Sequence, residues 1–191
     1  PVLKLKEVPL KFEFSNVPAG YDPAELNASI SPATIRIAGA ADTVDGIESV
    51  NAGFINLARV QLGKAETLKI QLSEGLVNVD DVQEATVTFD TSGYGEPRAI
   101  TVSDIRVVNA PSGVDVKVIT ESINNVTLVG EAEELAAISP SDVIAQVDAS
   151  AQNITVKGSG QQQFSAQIIV TGTKTVFATG AYSVLCDITV K

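Results

Sequence analysis

Histidine, tryptophan and methionine are absent from this 191-residue chain, and cysteine occurs once. Without histidine no Ser-His-Asp or Cys-His relay can be assembled, and no histidine metal site can form. One cysteine excludes an internal disulfide and a thiolate cluster. Any hydrolytic chemistry would have to rest on carboxylates, lysine or tyrosine. Aromatic residues are scarce, at 5%, which leaves little ring surface for stacking on sugars. No apolar run approaches the roughly 18 residues that a membrane helix needs. Basic residues are also few, 13 against 23 acidic, for a net charge of −10. The deficit is spread along the chain, with −6 in residues 1–90 and −4 in residues 91–191. A phosphate backbone would be repelled rather than gathered, so nucleic-acid binding is excluded as a function class. The same sign disfavours direct adsorption to an anionic membrane surface. The chain opens on Pro1 without an initiator methionine or a signal-like stretch, which reads as a mature or truncated piece.

What the chain does have is aliphatic alternation. Hydrophobic residues make up 45%, ordinary for a globular protein and too many for disorder. Val8, Leu10, Phe12 and Phe14 line one face of an extended run, as do Val114, Val116 and Val118 further on. Phe164, Ala166, Ile168 and Val170 form another such row, and Val87 with Phe89 another. Period-2 runs bounded by Gly, Pro, Asn and Asp predict a strand-and-turn chain. In AYSVLCDITV the single thiol, Cys186, shares a face with Tyr182, Val184, Ile188 and Val190. That placement predicts a buried, unreactive cysteine.

The chain writes one unit twice. IRIAGAADTVDGI, from Ile35 to Ile47, answers VTLVGEAEELAAI, from Val126 to Ile138, and NVPAGY at Asn16 answers NAPSGV at Asn109. Ala52 and Phe54 align with Ala145 and Val147. Each copy carries a short helical pattern just after a glycine: Ala41, Val44 and Ile47 in one, Ala132, Leu135 and Ile138 in the other. Two turns are too short to be stable alone, so each helix must pack on a sheet. Acids crowd the helix starts (Asp42; Glu131, Glu133, Glu134), where they complement the helix dipole. Gly39 and Gly130 end a strand where a helix begins, so a backbone angle or a close approach that a β-carbon would spoil is expected there. Valine at either should cost several times what Ala149→Val costs, Ala149 being expected on the surface. DTSGYGEPR, from Asp90 to Arg98, reads as a linker, and GSGQQQ and TGTK read as exposed turns. Residues 1–90 and 99–191 are thus expected to be two small domains, joined by residues 91–98.

Acid pairs exist at Asp80-Asp81, in a turn-like stretch, and at Asp42 and Asp45, on one helical face. Calcium or glycosidase chemistry needs convergence from several segments, and no D-x-D-x-D-G loop occurs. Both pairs are expected to be solvated surface. The two strand–Gly–helix junctions invite comparison with phosphate loops. They lack the required lysine or glycine run, and their acids are the wrong sign for an anion. Three N-x-[ST] triplets, at Asn27, Asn125 and Asn153, are expected by chance in such a chain. No catalytic, metal or cofactor-binding residue is therefore assigned.

The order of V-P-x strand, N-x-P-x-G turn, I-x-[IV]-x-G strand and short helix ending in Ile resembles the YbbR domain family. VPLKFEF, NVPAGY and IRIAGAADTVDGI carry the likeness in the first copy; NAPSGV, VTLVGEAEELAAI and VIAQVDAS carry it in the second. The first copy lacks the aspartate that the second has at Asp148, so nothing functional hangs on that residue. The resemblance implies two tandem, small, mostly antiparallel β domains, each with one short helix. A fold similar to the C-terminal β domain of a 5S-RNA-binding ribosomal protein is part of it, although the charge here opposes RNA. It implies a non-enzymatic module on the bacterial cell surface, attached through an N-terminal membrane helix absent from this chain. The implied partner is a membrane diadenylate cyclase, the maker of cyclic di-AMP. The alternative expectation is a cell-envelope adhesion or glycan-binding module.

Overall fold

The computed structural model describes residues 2–191. Among them the chain is mainly β, with two short α-helices, and it divides into two compact units. Unit 1 comprises the chain through Asn16 together with Leu26–Thr91, and unit 2 comprises Val17–Glu25 together with Ser92–Lys191.

Unit 1 runs β1 (Lys4–Ser15), β2 (Ala28–Ser31), β3 (Thr34–Gly39), α1 (Ala41–Asp45), β4 (Val50–Asn56), β5 (Glu66–Lys69), β6 (Val77–Asn78) and β7 (Glu84–Phe89). The sheets are ordered β4-β1-β3-β6 and β2-β7-β5. β1 changes partner along its length. It pairs antiparallel with β3 from Lys4↔Gly39 to Pro9↔Thr34, then parallel with β4 from Leu10↔Val50 to Ser15↔Asn56. Pro9, which has no N–H to donate, sits where the first ladder ends. The alternating residues Val8, Leu10, Ile35 and Ile37 meet Val50, Ala52, Ile70 and Ala85 in the core.

Unit 2 runs β8 (Arg98–Val102), β9 (Asp104–Val108), β10 (Val114–Val118), β11 (Ile123–Val129), α2 (Ala132–Ala137), β12 (Val143–Asp148), β13 (Ser159–Val170), β14 (Phe177–Thr179) and β15 (Tyr182–Val190). Its sheets are ordered β14-β11-β8 and β10-β15-β13-β12-β9. β8 pairs antiparallel with β11, Ile100↔Val126, and β9 pairs parallel with β12, Val107↔Val147. Together β8 and β9 repeat what β1 does alone in unit 1. The core of unit 2 is larger, and Phe164, Leu128, Val147, Cys186 and Ile188 lie within it.

The duplication reaches the backbone. Asn16 and Asn109 both take left-handed φ, at 51° and 54°, and Gly20 and Gly113 follow at 81° and 78°. Tyr21 N–H donates to Pro18 O at 3.1 Å, and Val114 N–H donates to Pro111 O at 3.1 Å. Asn56 and Asp148 each end the parallel strand by accepting from the backbone N–H two residues on, at 2.9 Å and 3.0 Å. The acid missing from the first copy is thus replaced by an isosteric amide with the same turn-forming role.

Four expectations change. Phe54 does not match Val147: it is 61% exposed, whereas Val147 is fully buried. The register of β1 against β4 shifts between Lys11 and Glu13, beside Gly53 at φ 134°, and the bulge passes the core position to Ile55. Ile55 faces Phe14 as Val147 faces Val107. GSGQQQ is the start of β13 rather than a turn, paired with β15 from Ser159↔Thr189. Ala149 is fully buried, because the short helical turn after β12 folds it inward. Ser92–Arg98 is packed within unit 2: Tyr94 bridges to Glu131, and Gly95 N–H donates to Gly130 O at 3.0 Å.

Candidate functional site

The carboxylates are held apart, each by its own local partners. Asp80 accepts from Arg36 N–H at 2.8 Å and from Arg36 Nε at 2.7 Å. The Arg36 hydrogen bonds hold its carboxyl below the usual range. Asp81, at φ 52°, accepts from Gln83 Nε2 at 2.7 Å. Asp45 pairs with Lys4, while Asp42 sits in the first turn of α1. Among the described residues no three metal-capable side chains gather.

Gly39 and Gly130 are positions of close approach, not of unusual backbone angle. A β-carbon on Gly39 would lie 2.9 Å from Gly75 O. On Gly130 it would lie 2.7 Å from Val176 Cγ2 and 2.8 Å from Val176 Cα. The chain segment entering β6 or β14 therefore runs directly over the glycine, and this closes the end of each core.

Two further devices were not read from the sequence. Lys6 Nζ donates to Ile47 O at 2.6 Å, at the end of α1. Arg98 Nη1 donates to Leu135 O at 3.1 Å and Ile138 O at 2.8 Å, at the end of α2. The cation comes from the strand beside the helix and satisfies carbonyls that the short helix leaves open. The signal was present, since Lys6 and Arg98 precede Val8 and Ile100 at the same spacing. The second device is Glu134. Its Oε2 accepts from the Thr173 hydroxyl, from Lys174 N–H and Thr175 N–H at 3.0 Å each, and from the Thr175 hydroxyl at 2.9 Å. These donors lower its pKa to about 2. TGTK, read as a bare turn, is thus a cradle for a helix carboxylate that fixes the approach to β14.

Cys186 is fully buried in unit 2, and burial pushes its thiol pKa up. It is a core residue and not a nucleophile.

The most distinctive arrangement is aromatic. Within unit 2, Tyr21 of the Val17–Glu25 segment packs on Phe177 of β14, with ring centroids 4.6 Å apart and 36° between planes. The Tyr21 and Tyr94 hydroxyls are buried without a protein hydrogen-bond partner. Burial, then the charges of the other tyrosine and of Glu25 and Asp22, raise the Tyr21 pKa; burial, then Glu131, Glu134 and Glu25, raise that of Tyr94. Phenols so placed stay protonated. They offer ring surface and no base. The sequence cue was the six-residue stretch from Asp22 to Asn27 that the first copy inserts between its N-x-P-x-G turn and its next strand.

Two clefts accompany these features. One, of about 280 Å³, lies in unit 1 among Ile47, Asn51, Gln71, Leu72 and Leu76. The other, of about 520 Å³ and widely open, lies in unit 2 among Glu96, Pro97, Arg98 and Leu135. Neither gathers paired catalytic groups.

The family model described as YbbR-like protein matches residues 8–102. A search of curated proteins found no match. Two solved structures are similar. SuR18C from Streptococcus thermophilus is 20% identical, with a TM-score of 0.36, over 46% of this chain and 84% of that one. A YbbR-like protein from Streptococcus pneumoniae is 17% identical, with a TM-score of 0.35, over 100% of this chain and 96% of that one. The chain is mainly β, and over residues 8–102 it is similar to YbbR-like proteins.

Proposed function

We propose that this module acts outside the cytoplasm, on the bacterial cell surface, as the protein-interaction part of a membrane-anchored regulator. Its partner is a membrane diadenylate cyclase, so that the module tunes cyclic di-AMP synthesis. The observation that carries the reading is the match of residues 8–102 to YbbR-like proteins. Residues 99–191 are a second copy of the same domain. The repeated turns at Asn16 and Asn109, the repeated glycine closures and the repeated cation at each helix end support that assignment. The anchor is an N-terminal membrane helix outside this sequence.

The test is co-purification. The membrane-anchored full-length protein should retain the cyclase through detergent extraction, and its loss should change cellular cyclic di-AMP. Repeated recovery without the cyclase, and unchanged nucleotide in its absence, would end the regulatory reading. A glycan array run in parallel addresses the adhesion alternative.

A further inference from the structure

Of the eight large apolar side chains exposed among the described residues, Leu5 and Val77 lie on one sheet face of unit 1, and Leu3 and Val79 each lie two residues away in sequence, beyond the strand ends. Leu5 pairs with Ala38, and Ala38 pairs with Val77, so the three form one cross-strand row. The row points away from the core, which takes the neighbouring Ile37. Leu5 is 54% exposed and Val77 is 51% exposed, while the small Ala38 between them is buried, at 8%, so the bare part of the row is the two flanking side chains. Such a strip of branched side chains facing water is unfavourable unless something covers it.

Unit 2 contains the same row with a ring seated on it. Val129 stands one residue before Gly130 as Ala38 stands before Gly39, and it pairs with Phe177 as Ala38 pairs with Val77. Neither Val129 nor Phe177 belongs to the core cluster, yet both are buried. Tyr21 is seated on the Phe177 ring of that row. The seat is thus present twice and, among the described residues, filled once.

We propose that the bare face of β1, β3 and β6 is a docking surface for the long N-x-P-x-G-aromatic turn of another YbbR-like module, seated as Val17–Glu25 is seated in unit 2. The chain's own turns do not supply it. Val17–Glu25 is already engaged within unit 2, and after the turn at Asn109 the chain enters β10 directly at Val114, with neither extension nor ring. A second copy of this chain would first have to unseat its own Tyr21. The inference rests on the interaction-module reading but not on the cyclase, so failure of the co-purification leaves it standing.

The test is nuclear magnetic resonance titration of the isotope-labelled 191-residue chain with a synthetic peptide, NVPAGYDPAEL, equal to residues 16–26. Saturable shift changes are expected at the amides of Leu5, Ala38 and Val77 in the low-millimolar range, and not at Val129 or Phe177. A peptide with alanine in place of the tyrosine should bind at least about tenfold more weakly, as loss of a buried ring implies. Val77→Lys in the chain should abolish the response while leaving the rest of the spectrum unchanged. A Tyr21→Ala chain should take the peptide at Phe177 as well, which sets the affinity scale. Absence of saturable shifts at the unit 1 face overturns the proposal. So do shifts indifferent to the tyrosine. Concentration-dependent shifts of that face without peptide would also overturn it, because the occupant would then be a second copy of this chain.

Discussion

Gly130 tolerates less than Gly39, because its β-carbon would meet both backbone and side chain of Val176, whereas at Gly39 the nearest atom is a single carbonyl oxygen. Gly130→Val and Gly39→Val should each cost about 1–3 kcal/mol through overpacking, with Gly130 the larger. Ala149 cannot serve as the control, being buried. Ala110 can: it is exposed and precedes Pro111, and Ala110→Val should stay within about 0.5 kcal/mol. Equal denaturation midpoints for all three variants would refute the close-approach account. Tyr21 gives a prediction with two signs. Its hydroxyl is buried without a protein partner, so Tyr21→Phe should leave stability unchanged or raise it. Tyr21→Ala removes the ring packed on Phe177 and should cost about 2 kcal/mol or more. Glu134 links to pH. Its folded pKa is about 2 against an ordinary value of 4.5, a depressed carboxylate. Its contribution is fully present above the unfolded pKa and is lost as pH falls through the folded one. Melting temperatures of wild type and Glu134→Gln should differ at pH 7, and the gap should close as pH falls from about 4.5 toward 2.

Elements in this chain are short, and their ends are finished by residues distant in sequence. α1 and α2 have five and six residues, too few to persist without tertiary support. Lys6 and Arg98 provide part of it from the adjoining strands. Arg98→Ala should lower stability by about 1 kcal/mol, with Lys6→Ala in the same direction. Arg98→Lys should recover part of the loss, because charge is kept and the second donor is not. Urea denaturation measures this, and an Arg98→Ala midpoint equal to wild type would remove the capping role. The alternation of Val8, Leu10, Ile35 and Ile37 was legible because period and burial coincide. The bulge at Gly53 was not: one inserted residue moved the core position from Phe54 to Ile55, and composition alone does not distinguish the two. Nor was the role of Thr173–Thr175, since a carboxylate acceptor 40 residues away leaves no local trace.

At the scale of the molecule, two β units repeat one chain path and differ in what packs on their outer faces. The repeated glycines and turns made the duplication readable from sequence, because each marks a backbone requirement that only a few residue types meet. The assignment of Val17–Glu25 to unit 2 was not readable, because periodicity reports faces and not partners. Cys186 offers a whole-unit probe. Fully buried in unit 2, its thiol should react with a disulfide reagent only as fast as that unit opens. Fast labelling in native buffer would contradict the core placement.

The duplication itself is tested most directly by nuclear Overhauser contacts across matched strand pairs. Four pairs should appear together in one experimental spectrum: Val8 with Ile35 and Ile100 with Val126 as antiparallel partners, Phe14 with Ile55 and Val107 with Val147 as parallel ones. A spectrum with one antiparallel and parallel set but without the other, or with the second set displaced by a residue, would show that the halves do not share a fold.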